Sequence, residues 1–586
     1  MSAKHFINDP THLVTSALHS LTITNPSLAF DPANKIIYRR PEPQTSTPAR
    51  VSVVSGGGAG HEPSFAAMVG RGMLSAAVSG TIFASPSSEQ IRAGVQSRVD
   101  TTAGVLVTVM NYTGDVLNFG VAVEKARAAG VDVEMVVVGD DVGVGREKAG
   151  KVGRRGIAGT VLVHKISGAL AARGASLADV AKVARLTAAN LVSVGASLEH
   201  VHVPGRAAPD AASDEVLKVG EVELGMGIHN EPGSGRAKVE LPEMVKRMLA
   251  QLLDQEDKDR AFVKVDSNEV VLMINNLGGV SVLELAGITA EVAGQLEKTY
   301  GIRPVRVISG TFMTSLNGLG FSITLLNVVN TDIGGPGMIE LLDDPAEVTG
   351  WSAPISKETW EAKNTAERTG DAETSGSAEA SGLTWDAGVA TAALTEGLRR
   401  VIAAEPEITK YDTIVGDGDC GTGLKRGAEA VLKQISQTPL TQDPAVSLAS
   451  IIPVVEMTMD GTSGALFSIF LNALLHSLRS LPSGPMTPKS WGTALARSVE
   501  ALGKYTPARP GDRTLVDALA PFVDGLVEGG DLAEAARKAR AGAEGTKGML
   551  PGLGRSVYVG GEGYTKVPDP GAWGLAVFFE GLAGKE

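Results

Sequence analysis

Three carboxylates fall within eight residues at Asp412-Thr413-Ile414-Val415-Gly416-Asp417-Gly418-Asp419. Hard oxygen ligands spaced by glycine suit a magnesium ion bridging phosphates, with water completing the shell. A calcium loop of the EF-hand kind is excluded, because its twelfth position counted from Asp412 needs Glu and is Gly423. A plain acidic, solvated turn is the other reading. Further on, Asp460-Gly461-Thr462-Ser463-Gly464 precedes an apolar helical stretch, so it offers hydroxyls and a helix N-terminus to anionic oxygens. Gly511-Asp512-Arg513-Thr514 adds a guanidinium. Cys420, the single cysteine, has no partner that would make it reactive and reads as a packed neighbour.

The front of the chain carries a different chemistry. Ser55-Gly56-Gly57-Gly58-Ala59-Gly60-His61-Glu62-Pro63 follows a strand pattern, and its glycines let a small ligand approach backbone N–H groups. It is not a dinucleotide fingerprint: the third glycine of G-x-G-x-x-G would fall on His61 or Pro63. A G-x-x-x-x-G-K-[ST] phosphate loop is also missing from the sequence. His61 is a hydrogen-bonding or acid/base candidate, against the plain alternative of a loop histidine. Asn111-Tyr112-Thr113-Gly114-Asp115 follows a second strand pattern; Asp115 either takes a proton from a substrate hydroxyl or caps the next helix. Gly225-Met226-Gly227-Ile228-His229-Asn230-Glu231-Pro232-Gly233 places a histidine between glycines, ambiguous by itself. His164 looks like an ordinary packed position, and His200 and His202 have no second feature to support them.

The elements that must position these residues divide into two kinds. Short β-branched runs at 51–55, 104–110, 131–138, 270–275, 305–309 and 321–329 alternate with helical patterns. One such stripe runs through Val180, Val183, Ala184, Leu191 and Val194, interrupted only by Thr187. The alternation predicts an α/β region with mixed sheets, with a second α/β subdomain after about residue 200. Beyond residue 384 strand patterns are scarce, and stripes such as Leu424, Ala428, Val431, Leu432 and Ile435, and the stretch 465–481, predict an all-α unit. Between the two, residues 366–382 are small, polar and acidic without one large apolar side chain, so 355–383 reads as a flexible linker.

Composition sets the outer limits. The 586 residues are 43% hydrophobic and 20% charged, enough apolar surface to build cores and too much for disorder throughout. A formal net charge of −13 argues against a dedicated binder of nucleic acid or anionic membranes. One cysteine allows no internal disulfide, as fits a reducing compartment. The first residues lack the apolar core of a signal peptide, the apolar stretch near 465–475 is too short to span a bilayer, and the final Gly-Lys-Glu is not a peroxisomal address. A cytoplasmic protein with no membrane partner is expected.

Taken in order, the segments 56–63, 111–115, 227–233, 416–421, 461–466 and 511–514, with Asp569-Pro570-Gly571-Ala572, resemble the ATP-dependent dihydroxyacetone kinases of the single-chain type. The resemblance implies a substrate domain of two α/β subdomains over 1–350, the linker, and an all-α nucleotide-binding domain, a barrel of antiparallel helices, over 384–586. It implies that a ring nitrogen of His229 adds to the ketone of dihydroxyacetone. Such an adduct stops at a hemiaminal, because the imidazole nitrogen has no second proton to lose, and it selects a carbonyl compound over glycerol. Asp115 is then the base for the attacking hydroxyl, His61 binds the substrate and shares the proton work, and Gly58, Ala59, Gly60 and Met110 line the substrate. Asp412, Asp417 and Asp419 hold two magnesium ions, and Gly421, Thr422, Gly423, Leu424, Thr462, Ser463, Arg513, Asp569, Pro570 and Gly571 contact the nucleotide. The implied reaction turns ATP and dihydroxyacetone into ADP and dihydroxyacetone phosphate, with glyceraldehyde as a second substrate and a homodimer as the assembly. Two departures stand out: Met110 replaces the Lys that often precedes Asn-Tyr-Thr-Gly-Asp in the family, and no acidic residue stands near Thr81. The alternatives are a side activity that cleaves FAD to a cyclic flavin phosphate (FMN cyclase) and a silent carbonyl-binding sensor. The carboxylate trio argues against the sensor, which needs no Mg·ATP.

Overall fold

The computed structural model describes residues 4–41, 48–207, 216–265, 267–367, 379–553, 555–557 and 562–584. The chain forms two compact units, Met1–Ala366 and Glu367–Glu586.

The first unit is built on two six-stranded sheets. The first sheet contains β1 (Leu28–Asp31), β2 (Ile36–Arg39), β3 (Ser52–Ala59), β4 (Ala76–Ile82), β5 (Val105–Met110) and β6 (Val133–Val138), in the order β1-β2-β4-β3-β5-β6. Its β4-β3-β5-β6 part is parallel, and β1 and β2 extend it antiparallel. The second contains β7 (Leu191–Ser197), β8 (Val222–Leu224), β9 (Gly235–Ala237), β10 (Val270–Asn276), β11 (Arg306–Gly310) and β12 (Gly320–Asn327), in the order β11-β10-β12-β7-β8-β9. Only its β10–β11 pair is parallel.

The helices that cover these sheets are α1 (Pro10–Thr24), α2 (Ser88–Ser97), α3 (Thr113–Ala128), α4 (Arg146–Ala149), α5 (Thr160–Ala172), α6 (Leu177–Ala189), α7 (Leu241–Leu253), α8 (Val282–Tyr300), α9 (Met338–Asp343) and α10 (Lys357–Ala362). One core joins both sheets through α5 and α6: Val53 and Leu106 of the first sheet and Val271 and Met273 of the second pack with Val161, Leu162, Val180 and Val183. Strands covered on both faces need continuous apolar runs, which is why β5 and β10 stood out in the sequence.

The helical stripe drawn through Leu191 and Val194 is corrected. Helix α6 stops at Ala189, where the Asn190 N–H caps onto the Thr187 carbonyl, and Leu191 and Val194 lie on β7. Helical and strand periods cannot be told apart across so short a connection when both elements are buried. Thr187, the interruption, is fully buried and satisfies its hydroxyl on the Val183 carbonyl at 2.8 Å. Within the span 355–383, Lys357–Ala362 is helical, and residues 368–378 lie outside the described residues.

The second unit is helical: α11 (Ala387–Val415), α12 (Cys420–Gln437), α13 (Pro444–Thr458), α14 (Gly461–Arg479), α15 (Pro488–Leu502), α16 (Val516–Glu528), α17 (Leu532–Gly545) and α18 (Pro570–Leu582). Each packs on the next, and α18 returns to α11, closing a ring. The ring surrounds an apolar cavity of about 550 Å³ lined by residues such as Leu394, Val431, Phe467, Phe470, Leu519 and Phe522. Helix α14 is 19 residues, longer than the 465–475 stretch, and by length and composition alone it could cross a membrane. Its Leu466, Leu471, Leu474 and Leu478 face this cavity instead.

Candidate active site

The glycine run is part of β3 itself, which continues to Ala59. The neighbouring backbone dictates it: a Cβ on Gly56 would stand 2.2 Å from the Val78 carbonyl oxygen, and one on Gly58 would stand 2.8 Å from the Ala84 nitrogen. Gly60, with φ at 102°, then turns the chain so that His61 points back into the unit.

His61 is fully buried. Its Nδ1 lies 2.8 Å from the Thr314 carbonyl oxygen. A carbonyl only accepts, so Nδ1 carries the proton and Nε2 faces the site. The β8–β9 loop brings His229 to it, with the two Nε2 atoms 3.0 Å apart although 168 residues separate them in sequence. The loop is tied down from several sides. Asn230, at φ 65°, exchanges two 2.9 Å hydrogen bonds with the Val201 backbone, and Ser315 Oγ donates to the Ile228 carbonyl at 2.6 Å. The rings of Phe83 and Tyr112 stand edge-on to His229, with centroids at 5.1 and 4.7 Å, and Phe83 stacks on His61 at 5.3 Å. Burial, then the neighbouring His229, pushes the His61 pKa down to about 3, so His61 does not hold a proton by itself near neutral pH.

Asp115 sits in the first turn of α3, 5% exposed. That helix has no side-chain cap, so Asp115 is not serving as one. Among the described residues its Oδ1 has no hydrogen-bond partner, and burial raises its pKa, partly offset by Ser85 and His229. Its Oδ2 lies 3.8 Å from the point where Gly57 would carry a Cβ, so the base candidate faces the glycine run. Met110, at the end of β5, is 1% exposed and packed in the apolar core, with its Cβ 2.7 Å from the Cβ position of Gly156.

In the second unit Asp412 lies in the last turn of α11, and Asp417 and Asp419 lie on the turn to α12. One carboxylate oxygen from each falls within 4.8 Å of the others, a set able to hold a hard cation. Asp412 Oδ2 also accepts the Cys420 N–H at 2.9 Å, which fixes this turn to the start of α12. Gly421 and Gly423 lie in the first turn of α12, where Thr422 Oγ1 donates to the Asp419 carbonyl at 2.9 Å. Leu424 turns inward to the apolar cavity. Thr462 and Ser463 open α14, and Ser463 Oγ stands 3.9 Å from Cys420 Sγ, so the starts of α12 and α14 adjoin. Burial lifts the Cys420 thiol to about 12, which keeps it an inert packed group.

Arg513 is 1% exposed, in a left-handed backbone conformation with φ at 59°. Its Nη2 donates to the Val567 carbonyl at 3.0 Å, whereas Nε and Nη1 have no partner among the described residues. A buried guanidinium with two idle donors fits an anionic ligand. Asp569 caps α18 through the Ala572 N–H at 2.8 Å, with its pKa lifted to about 6 by burial; Pro570 and Gly571 form the first turn behind it.

Sequence reasoning gave no role to Glu231, Tyr112, Phe83, Thr314 or Arg155. Glu231 and Tyr112 lie inside motifs already singled out, and Phe83 lies two residues from Thr81, so only their direction was missing. Thr314 and Arg155 reach the site through tertiary packing and leave no local signal. His164 is packed as expected, and His200 and His202 pair with Glu223 at 3.1 Å and His5 at 3.0 Å rather than with the site.

Comparison with known proteins covers both units. Residues 19–350 match the model of the Dak1 domain and residues 414–584 that of the DAK2 domain. Over 607 aligned residues the chain is 44% identical to a protein named dihydroxyacetone kinase from Pichia angusta, covering 100% of this chain and 98% of that one. It is 43% identical over 596 residues to dihydroxyacetone kinase 2 of Saccharomyces cerevisiae, covering 99% of each. The crystal structure of the dihydroxyacetone kinase from C. freundii in complex with AMP-PNP and Mg²⁺ aligns over 100% of both chains, with a TM-score of 0.63 and 32% identity.

Proposed function

The chain belongs to the single-chain dihydroxyacetone kinase family, and on that premise we propose that it transfers the γ-phosphoryl group of ATP to a hydroxyl of dihydroxyacetone, and also to glyceraldehyde. The observation that carries this reading is the convergence of His61 and His229, Nε2 to Nε2 at 3.0 Å, in the site that Asp115 borders.

In this reading His229 Nε2 attacks the ketone carbon, and the former carbonyl oxygen takes up a proton, leaving a hemiaminal. The covalent bond fixes the three-carbon chain, so its terminal hydroxyl is held for transfer. Asp115, its basicity raised by burial, accepts the hydroxyl proton as the oxygen attacks phosphorus. Glycerol lacks the carbonyl, so its hydroxyls are never anchored in this way.

The carboxylates of Asp412, Asp417 and Asp419 would hold magnesium, two ions in the family pattern, which when bound neutralises charge on the triphosphate during transfer. The idle donors of Arg513 support a place for it on nucleotide oxygens, and the starts of α12 and α14 offer the N–H groups of Gly421, Thr422, Thr462 and Ser463. Asp569, Pro570 and Gly571 form a further edge of the same proposed nucleotide site. Sugar and nucleotide are assigned to different units, so turnover requires them to meet, within one chain or across the two chains of a homodimer.

The test is ADP release with Mg·ATP and each of dihydroxyacetone, glyceraldehyde and glycerol. Turnover with the two carbonyl compounds and little with glycerol is expected. Equal turnover with glycerol would remove the basis for carbonyl selection.

A further inference from the structure

Behind His229 lies a line of charge that the reaction as derived so far does not use. Glu231 holds the histidine twice: Oε1 lies 2.9 Å from the ring Nδ1, and Oε2 accepts the His229 backbone N–H at 3.0 Å. Gly227 stands between Glu231 and Arg155. A Cβ there would meet Glu231 Oε2 at 2.0 Å and Arg155 Nη1 at 2.5 Å, so the carboxylate and the guanidinium lie within a few ångströms of each other across this glycine. Arg155 is anchored in turn on buried Asp141, with Nε at 2.9 Å and Nη2 at 2.7 Å, and its Nη2 also donates to the Gly225 carbonyl at 2.7 Å. Burial works against the ionised form of Glu231, but its bonds from His229 and the Arg155 charge win and hold its pKa at about 2.

Proton bookkeeping then fixes the state of the pair. The Thr314 carbonyl takes the Nδ1 proton of His61, and the Glu231 carboxylate takes the Nδ1 proton of His229. Two Nε2 lone pairs would therefore face each other at 3.0 Å, which is attractive only if one proton lies between them. A proton held between them would give the two rings together one positive charge, opposite Glu231.

We propose that Glu231, backed by Arg155 and Asp141, is the positioning residue of the sugar site: it fixes the His229 tautomer that aims Nε2 at the ketone, and it pairs with the charge that the ring carries in the adduct. The proposal rests on the reading of His229 as nucleophile. The step balances. The Nε2 lone pair forms the N–C bond, the C=O π pair moves to oxygen, and that oxygen takes the proton shared by the two Nε2 atoms. The product ring has carbon on Nε2 and hydrogen on Nδ1, so the single positive charge of the pair ends on His229, facing Glu231.

This has a consequence for pH. While the shared proton is present, adduct formation neither takes up nor releases a proton and is flat with pH. Once that proton is lost, one must come from solution, and the adduct fades as pH rises. The charged and titratable groups facing His229 are His61 from the β3 end, Tyr112 from the β5–α3 turn, Asp115 from the first turn of α3, and Glu231 on its own loop, with Arg155 and Asp141 behind Glu231. Glu231 is the anion that supports the shared proton most directly. Glu231→Gln keeps the shape and an acceptor but removes that charge.

The test is intact mass of the full-length protein titrated with dihydroxyacetone from pH 6 to pH 10, for wild type, Glu231→Gln and Glu231→Asp. The wild type is expected to gain the sugar with a fall only on the alkaline side. Glu231→Gln should need about 10- to 100-fold more sugar for half occupancy, the range of one charged hydrogen bond, and its alkaline fall should move to lower pH. Glu231→Asp, which keeps the charge, should bind more weakly with the fall left where the wild type has it; this variant carries the test if the Gln protein does not fold. A uniform loss in Glu231→Gln with an unmoved fall, or a moved fall in Glu231→Asp, would overturn the role given to the charge. Wild type that gains no mass would overturn the nucleophile reading itself.

Discussion

Asp115 carries the clearest kinetic expectation of any single residue. Its carboxyl is buried and its pKa raised above the ordinary 3.8, and a base works only when ionised. Transfer should therefore rise with pH through that raised value, putting the acid limb of kcat above where an ordinary aspartate would place it. Asp115→Asn should lower kcat by roughly 10²- to 10⁴-fold and remove that limb, while Mg·ATP binding is unchanged; an intact acid limb in the variant would assign it to another group. At this scale the sequence was informative where function needs an unusual residue in an unusual place: a histidine after a glycine run, a second histidine between glycines, three aspartates on one turn. It was silent on Thr314 and Arg155, which come from other elements and sit in unremarkable local sequence. For Met110 the motif marked the position, and the side chain it marks lies in the core.

At the scale of elements, α5 is the most constrained. Every residue from Thr160 to Ala171 is buried between the layers, including His164 and Lys165. Lys165 Nζ finds the Leu341 carbonyl at 2.7 Å, but neither ring nitrogen of His164 has a partner among the described residues. Burial pushes the His164 pKa down to about 3 from 6.5. The unfolded chain takes up this proton below about 6.5 and the folded one does not until about 3, so stability is lost as pH falls through that window. His164→Leu, similar in volume, removes both the lost proton uptake and an unpartnered polar group that costs about 1–3 kcal/mol. Its melting temperature should hold or rise at pH 7 and should drop less than that of the wild type between pH 7 and pH 5; an equal drop would place the acid sensitivity elsewhere. The strands β3, β5, β10 and β12 were legible because burial on both faces demands apolar runs, and the edge strands β6 and β11 through their β-branched residues. The short strands β1, β2, β8 and β9, of three or four residues each, were not. The run-on from α6 into β7 shows the limit of periodicity: two buried elements joined by one residue look like one stripe.

At the scale of the molecule, the proposed roles divide between an α/β unit ending at Ala366 and a helical ring beginning after it. The composition of residues 366–382 marked this division, because a polar, small-residue stretch has no apolar surface to bury. The ring itself was not legible from any one helix, since closure depends on α18 packing against α11. Under this division of roles, damage to one unit leaves the other's half of the reaction intact. Asp417→Ala should abolish Mg-dependent ADP formation while the sugar adduct still forms to the wild-type extent. Parallel loss of both would show that the sugar site depends on the metal site.

The covalent grip of His229 on the sugar is the claim on which selection, positioning and the split of roles all depend. Intact mass spectrometry of wild type and His229→Ala with dihydroxyacetone, without nucleotide, tests it most directly. The account predicts that the wild type gains the full mass of one sugar with no loss of water, and that His229→Ala gains nothing. An unmodified wild type, or an adduct that survives in His229→Ala, would contradict it.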